Sequence, residues 1–360
     1  MQNMRTAIVG FFEVYPPKSG SSVVIYDFFC SWPNLNKCLF QLSHSIIKKK
    51  KITNIKLIKN KPLFKIIILP IIIYKIFKYL KSSKRKILIL EGASWIFYSY
   101  SVIFIIKILI PDIFIIYRSH SIEYEIRKKN SSFFTSLITK YFEQKVYRIS
   151  NIVTSVSNLE KQKAKKYYSV ETRLFPNSIR IADLKKLKEK KIKYLPKKYI
   201  LFCGSYEYPP NKVAINYIIK KILPVINKKD NFFLVLTGSP SNINFNNKNV
   251  IHLSFVNRSE LKFLYRNAIC LVAPLFEGYG TRIKIIESLV LGSNIVTTHK
   301  GIEGIHFEKN KKIIVTDNLK KMIESIYYFN KSYKKLYKNN PSTYKNYSME
   351  VNALNLYRNI

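Results

Sequence analysis

The chain has 360 residues, 47% of them hydrophobic, which is enough to build two ordinary α/β domains with real cores and excludes disorder as the main state. Its formal net charge of +41 would normally indicate nucleic acid or an anionic membrane surface as a partner. The lysine excess accompanies abundant Ile, Asn, Tyr and Phe with only 10 Gly, a composition typical of A- and T-rich coding sequence. Because no recognisable nucleic-acid module accompanies the charge, we expect no nucleic-acid partner.

Cysteines and histidines give no sign of a metal centre. Cys30, Cys38, Cys203 and Cys270 stand far apart without a CxxC pair, which favours free thiols in a reducing compartment. The five histidines are scattered, so we predict no metal site. Residues 1–10 lack the apolar stretch of a secretory signal. These features predict a cytoplasmic protein.

Two apolar stretches, residues 66–74 and 92–106, are both shorter than the ~20 residues that cross a bilayer. If the stretch 92–106 is extended towards the carboxyl terminus, it reaches Pro111 and Asp112. A buried helix leading into a strand at 113–117 accounts for this pattern. The alternative is an interfacial association, in which such helices and nearby lysines hold the protein peripherally against an anionic membrane, at its inner face.

The first half of the chain alternates strand and helix patterns, which predicts a parallel sheet covered on both faces. A loop rich in Pro, Ser and Gly, residues 15–21, follows the first strand and leads into a helix that begins over 23–29. Ser157 is predicted as a helix N-cap. The predicted strands cover residues 6–12, 38–42, 86–90, 113–117 and 151–155.

Polar residues follow the strand 113–117 and therefore lie at the carboxyl end of the predicted sheet, where α/β proteins place ligands. His120 is a candidate to contact a substrate, although a lone histidine more often serves packing or solvation. Glu123 either orients a substrate hydroxyl or caps the next helix, and the sequence leaves both roles open.

The second half repeats the alternation after a lysine-rich run. Helices are predicted from residue 213, over 258–267, from residue 283 and over about 349–359. The predicted strands cover residues 199–203, 232–238, 251–255, 268–275, 294–298 and 313–315.

The most informative segment is the Gly-rich turn between the strand 268–275 and the next helix. Gly278 and Gly280 allow the backbone to turn sharply and to approach a ligand closely. Arg282 and Lys284 then enter the first turn of a helix, where free amides and cations favour phosphate. An ordinary strand–helix turn with solvated cations is the plainer alternative.

The order Glu-Gly-Tyr-Gly-Thr-Arg-Ile-Lys-Ile-Ile-Glu, which ends at Glu287, resembles the nucleotide-sugar motif of family-4 (group 1) retaining glycosyltransferases of the GT-B type. It is most similar to the branch that carries Thr-Arg-x-Lys-x-x-Glu. Weaker similarities, including His-Ser-x-Glu-Tyr-Glu at 120–125, span nearly the whole chain. The resemblance implies a GT-B fold, in which two Rossmann-like doubly wound domains face a central cleft.

The same resemblance implies residue roles. Glu287 would hold the ribose of the donor nucleotide, while Arg282, Lys284 and His120 would be catalytic. Ser19, Gly20 and Glu123 would lie on the acceptor side. Relatives carry two glutamates with seven residues between them, whereas Tyr279 occupies that earlier position here, so the sugar contact of Glu277 or Tyr279 stays open. The donor-binding residues would be Gly204, Lys212, Glu277, Gly278, Tyr279, Gly280, Thr281 and Glu287.

The implied domain organisation has four parts. Residues 1–180 would form the acceptor-side domain and 181–198 a basic linker. Residues 199–340 would bind the nucleotide sugar, and 341–360 would cross back to the first domain.

These features predict a hexosyltransferase-like enzyme that uses a nucleotide sugar as substrate, needs no cofactor and acts on a glycan or lipid-linked acceptor in polysaccharide biosynthesis. The chain has no Asp-x-Asp triplet, which favours a metal-independent reaction, and the resemblance implies a retaining one. Three alternatives remain: a non-catalytic sugar- or partner-binding relative, a nucleotide-sugar epimerase, and a basic nucleic-acid-binding protein.

Overall fold

The chain divides into two compact units. Unit 1 contains the described residues up to Pro17 together with Ser21–Asn177 and Asn352–Ile360, and unit 2 contains Lys18–Gly20 and Ser178–Val351. The computed structural model describes residues 3–44, 49–57, 62–240, 242–278, 280–307, 312–332 and 341–360.

Unit 1 is built on a parallel sheet whose central strands are almost wholly apolar and buried, as expected when helices cover both faces. Its strands are β1 (Met4–Gly10), β2 (Lys37–Ser43), β3 (Ile52–Lys56), β4 (Arg85–Gly92), β5 (Phe114–Ser119), β6 (Ile152–Ser155) and β7 (Arg173–Leu174). Their order across the sheet is β3-β2-β1-β4-β5-β6-β7.

The helices of unit 1 fill the intervals between these strands. The predicted N-cap at Ser157 is confirmed, because its side chain accepts a hydrogen bond from Glu160 N. In the described ranges, no helix has both the length and the apolar content needed to span a membrane. The helices are α1 (Gly20–Ser31), α2 (Pro62–Leu80), α3 (Ile96–Leu109), α4 (Glu123–Asn130), α5 (Phe133–Ile149) and α6 (Asn158–Tyr168).

Unit 2 repeats the plan with a second parallel sheet. Its strands are β8 (Tyr199–Cys203), β9 (Phe233–Thr237), β10 (Val250–His252), β11 (Leu271–Ala273), β12 (Ile295–Thr297) and β13 (Ile313–Val315), in the order β10-β9-β8-β11-β12-β13. Its helices are α7 (Ile181–Lys186), α8 (Pro209–Tyr217), α9 (Leu223–Ile226), α10 (Arg258–Asn267), α11 (Ile283–Leu291), α12 (His299–Ile302) and α13 (Leu319–Ser332). A π-helical turn, Ile218–Ile222, joins α8 to α9, and a 3₁₀ segment, Pro341–Tyr347, precedes the final helix α14 (Met349–Tyr357).

Several bounds differ from the sequence prediction. The strands β3 and β7 were not predicted, since β3 is short and only partly buried and β7 consists of two exposed residues. β11 covers three residues rather than the predicted eight. The segment 181–198, predicted as a linker, begins with α7, whose Ile181 and Leu184 pack into the core of unit 2.

Each sheet contains one point at which the strand order reverses, between β1 and β4 in unit 1 and between β8 and β11 in unit 2. In open α/β sheets, ligands bind outside the carboxyl ends of the strands at such a point. A ligand site in unit 2 is therefore expected among the residues that follow β8 and β11.

Candidate functional site

The reversal point of unit 2 brings two predicted site residues, Gly204 and Lys284, into contact with Asn211. Gly204 follows β8 with a φ of +143°, and a Cβ there would lie 2.9 Å from Lys284 Nζ and 2.7 Å from Asn211 Nδ2. Only glycine leaves room for these side chains against the backbone. Gly204 and Lys284, which lie 80 positions apart in the sequence, are thus neighbours in the fold.

Lys284 is held by an amide and an aromatic ring, with no ion pair among the described residues. Its Nζ donates to Asn211 Oδ1 at 2.8 Å and lies 3.9 Å from the centroid of the Phe202 ring. Asn211 Nδ2 in turn donates to Ser205 O at 2.9 Å, which fixes the amide. The pKa of Lys284 is lowered to about 7, mainly by burial; Cys203 opposes this shift, and the neighbouring Arg282 charge makes a smaller contribution that lowers the pKa.

The loop after β11 places Arg282 at the start of α11. Gly278 and Gly280 both have positive φ, +109° and +69°, which other residues rarely adopt. Arg282 occupies the N-cap position but contributes no side-chain cap to α11. In α10, by contrast, Asn257 and Glu260 form a complete capping box. The amides that open α11 therefore lack the side-chain acceptor that α10 has.

The Arg282 guanidinium lies buried and unsatisfied. Within the described ranges, its Nη1 and Nη2 atoms and the nearby Thr281 Oγ1 have no hydrogen-bond partner. Burial lowers the pKa of Arg282, while the more distant charges of Tyr208 and Glu303 raise it. Because an unpaired buried cation costs free energy, Arg282 is a candidate to bind an anion.

Glu287 lies one turn after Lys284 on α11. Its Oε2 accepts a hydrogen bond from Tyr265 Oη at 3.0 Å, and Tyr265 also hydrogen-bonds the Cys203 side chain. Burial raises the pKa of Cys203 to about 12, so this thiol is neutral. The network fixes the orientation of the Glu287 carboxylate at the end of β8.

The other predicted donor-binding residues are less constrained. Lys212 is exposed, with its Nζ 5.5 Å from the centroid of the Tyr206 ring. Glu277 is exposed on the loop after β11. Tyr279 lies outside the described residues, so the choice between Glu277 and Tyr279 stays a sequence prediction.

Unit 1 contains a second charged cluster at the carboxyl end of its sheet. Glu91 on β4 accepts from Arg118 Nη1 on one oxygen and lies 2.8 Å from His120 Nε2 on the other. The rings of Phe28 and Phe175, which meet edge to face, both contact the Arg118 guanidinium, with centroids 3.7 and 4.6 Å from Cζ. Glu91 and Arg118 are directly paired in the β4–β5 register, which places them side by side.

In this cluster, the positive charge of Arg118 balances the negative charge of Glu91. Burial alone would raise the pKa of Glu91, but Arg118 and His120 lower it below its ordinary value, so the carboxylate is ionised. When His120 donates from Nε2 to Glu91, its Nδ1 carries a lone pair that can accept a hydrogen bond from a hydroxyl.

Glu123 makes a capping contact. Its Oε2 accepts from Ile96 N at 2.6 Å, at the start of α3, and its Oε1 pairs with Arg127 Nη2 at 2.9 Å. The cap is therefore on the preceding helix rather than the following one. The start of α4 is held instead by Glu143, which accepts from Glu123 N and Tyr124 N.

Ser19 and Gly20 are exposed immediately before and at the start of α1. A Cβ at Gly20 would meet open space, so the backbone does not require glycine there.

Three functional residues were missed by sequence reasoning. Asn211 holds Lys284, and Glu91 and Arg118 hold His120. A buried acid ending one strand and an arginine ending the next are weak signals until the strand order is known. No group of three or more His, Cys, Asp and Glu side chains that could hold a metal occurs in the part of the chain described.

Comparison with solved structures assigns the fold. The chain is similar to a sucrose-phosphate synthase from Thermosynechococcus elongatus, with a TM-score of 0.72 and 13% identity over 99% of this chain and 98% of that one. It is also similar to Anabaena HepE, solved with UDP and glucose, with a TM-score of 0.67 and 10% identity over 99% of both chains. A UDP-GlcNAc 2-epimerase from Methanocaldococcus jannaschii gives a TM-score of 0.58 and 14% identity, again over 99% of both. The fold is GT-B, with two Rossmann-like parallel-sheet domains, as the sequence predicted.

The family match covers a smaller part of the chain than the structural matches do. Residues 197–329 match the family described as Glycosyl transferases group 1. A search of curated proteins gives no match. The segment matched by the family includes both the Gly204–Asn211–Lys284 contact and the unsatisfied guanidinium of Arg282.

Proposed function

We propose that the protein is a glycosyltransferase that transfers a hexosyl-type sugar from a nucleotide-sugar donor to a glycan or lipid-linked acceptor. The observation that carries the proposal is the buried, unpaired Arg282 guanidinium, which lies beside an uncapped helix start at the reversal point of unit 2. The group 1 glycosyltransferase domain over residues 197–329 supports the same assignment.

The donor diphosphate would lie against Arg282, Lys284 and the first amides of α11. As the bond between the anomeric carbon and the phosphate oxygen breaks, negative charge grows on the departing diphosphate. Fixed cations at that position stabilise the transition state more than the ground state. Two such cations can supply this stabilisation in a metal-independent reaction. Glu287, oriented by Tyr265, would accept the ribose hydroxyls.

The reaction would retain configuration, with the acceptor oxygen approaching the face from which the diphosphate leaves. The acceptor proton would pass to the departing phosphate oxygen, so no covalent nucleophile is needed. His120, held by Glu91, would contact a hydroxyl of the sugar or the acceptor.

A thermal-shift panel of UDP, GDP and ADP sugars tests the donor assignment. A ligand that binds the folded state raises the unfolding temperature, so one base should give a selective rise. No rise with any of them contradicts the proposal. Incubation with the selected donor and analysis of the products then separate a transferase from other sugar binders. A transferase releases nucleoside diphosphate, a non-catalytic relative releases none, and an epimerase gives an isomerised sugar.

A further inference from the structure

Three helices of unit 1 expose apolar side chains where a water-facing surface would carry polar ones. α2, α3 and α5 pack side by side, with their inner residues in the core of unit 1. On α5 the outward positions 133, 134, 138 and 141 are Phe133, Phe134, Ile138 and Tyr141, and the two phenylalanines are 71% and 76% exposed. Ile108 of α3 and Tyr74 of α2 are also exposed. These six residues define the apolar face.

Ring contacts connect Tyr141 of the apolar face, through the partly buried Phe142 and Tyr100, to the exposed Phe104 of α3. Tyr141 contacts Phe142, Phe142 contacts Tyr100 of α3, and Tyr100 stacks on Phe104, with ring centroids 5.5, 4.9 and 5.8 Å apart. Scattered single apolar residues on a surface are ordinary, whereas a contiguous patch marks an interaction site.

The charges around the apolar face are of one sign. Residues 62–80, 96–109 and 133–149 include a single acidic residue, Glu143, and it is fully buried. Lys78, Lys107 and Lys145 are exposed on the same three helices. A second copy of this chain would bring the same cations to the contact, and the net charge of +41 opposes such pairing. An anionic bilayer offers apolar acyl chains and negative headgroups together.

We propose that the apolar face of α2, α3 and α5 seats unit 1 on the surface of an anionic lipid bilayer. Phe133 and Phe134 enter the headgroup region from the start of α5, and the lysines contact lipid phosphates. The attachment is interfacial. This inference is independent of the donor site and adds a lipid surface to the proposed function.

The test is flotation of the full chain with vesicles of phosphatidylcholine alone and of phosphatidylcholine mixed with phosphatidylglycerol. We expect binding to the mixed vesicles that weakens as salt is raised. The double variant Phe133→Ser/Phe134→Ser should reduce binding by about tenfold or more, because two phenylalanines no longer enter the bilayer. The matched control is Leu35→Ser/Tyr194→Ser, which removes apolar side chains that are 77% and 97% exposed elsewhere.

The inference is overturned if the mixed vesicles do not bind the chain, or if both double variants bind equally well. It is also overturned if Phe133→Ser/Phe134→Ser converts a dimer to a monomer in light scattering without changing vesicle binding. Unfolding temperatures of the variants should match the parent, since the replaced side chains are exposed. A donor shift measured on the same samples keeps failure of this inference distinct from failure of the proposed function.

Discussion

Each unit contains an arginine with a buried guanidinium, and the two differ in whether that guanidinium has a partner. In unit 1, Arg118 is paired with Glu91 and contacts the rings of Phe28 and Phe175. In unit 2, Arg282 is also buried, but its terminal nitrogens have no hydrogen-bond partner among the described residues. A paired guanidinium stabilises the structure around it, whereas the unpaired Arg282 guanidinium is the group to which we assign the donor diphosphate. Burial alone therefore does not distinguish a structural cation from a binding one.

The largest expected effect is on stability, and it tests whether Arg118 stabilises unit 1. Replacing Arg118 by Met leaves Glu91 buried without its counterion, and this should lower the free energy of unfolding by about 3–5 kcal/mol. Chemical denaturation measures the loss. The matched control is Arg282→Met, which removes an unpaired cation and should cost little or raise stability. Equal losses in the two variants would contradict the distinction.

The variant Arg282→Ala tests whether Arg282 contributes to catalysis. Removing one electrostatic donor to the leaving diphosphate should lower turnover by roughly 10²-fold or more. The measurement is nucleoside diphosphate release, with denaturation confirming that the fold is kept. Unchanged turnover would remove Arg282 from the mechanism.

Glu287→Ala should act on binding rather than on the chemical step. Losing hydrogen bonds from a carboxylate to the ribose should weaken donor affinity by about tenfold or more, with a smaller effect on turnover at saturation. Titration calorimetry with the donor measures it. Tyr265→Phe serves as the companion variant, because it removes the orienting hydroxyl and should weaken affinity less. Unaltered affinity in Glu287→Ala would contradict the assignment.

The smallest expected effect is a pH dependence from Lys284. With its pKa lowered to about 7, Lys284 loses its proton as the pH of the free protein rises through neutrality. A bound diphosphate favours the charged form and raises that pKa, so binding takes up a proton near neutral pH. Donor affinity should therefore be highest below pH 7 and fall, by at most about tenfold per pH unit, above it. The pH dependence of donor affinity should vanish in Lys284→Met. If that variant keeps the pH profile of the parent, the dependence comes from another group.

The local conformation of the candidate site in unit 2 was largely predictable from the sequence, because its Gly-rich turn, cations and helix start are contiguous in the chain. Gly278, Gly280 and Arg282 needed only local conformation and helix periodicity. The support for Lys284 was not predictable, since Asn211 reaches it from another element. The Glu91–Arg118–His120 cluster likewise depends on β4 and β5 lying side by side. β3 and β7 were missed because strands at the two edges of a sheet have little apolar pattern.

Titration calorimetry of UDP, GDP and ADP against the parent protein, Arg282→Ala and the exposed-site control Lys145→Ala tests the central claim most directly. The account predicts that one nucleoside diphosphate binds the parent and Lys145→Ala alike, and that Arg282→Ala weakens it by about tenfold or more, since it removes a charge-assisted contact to phosphate. Equal affinity in all three proteins, or no binding of any of the three ligands, would contradict it.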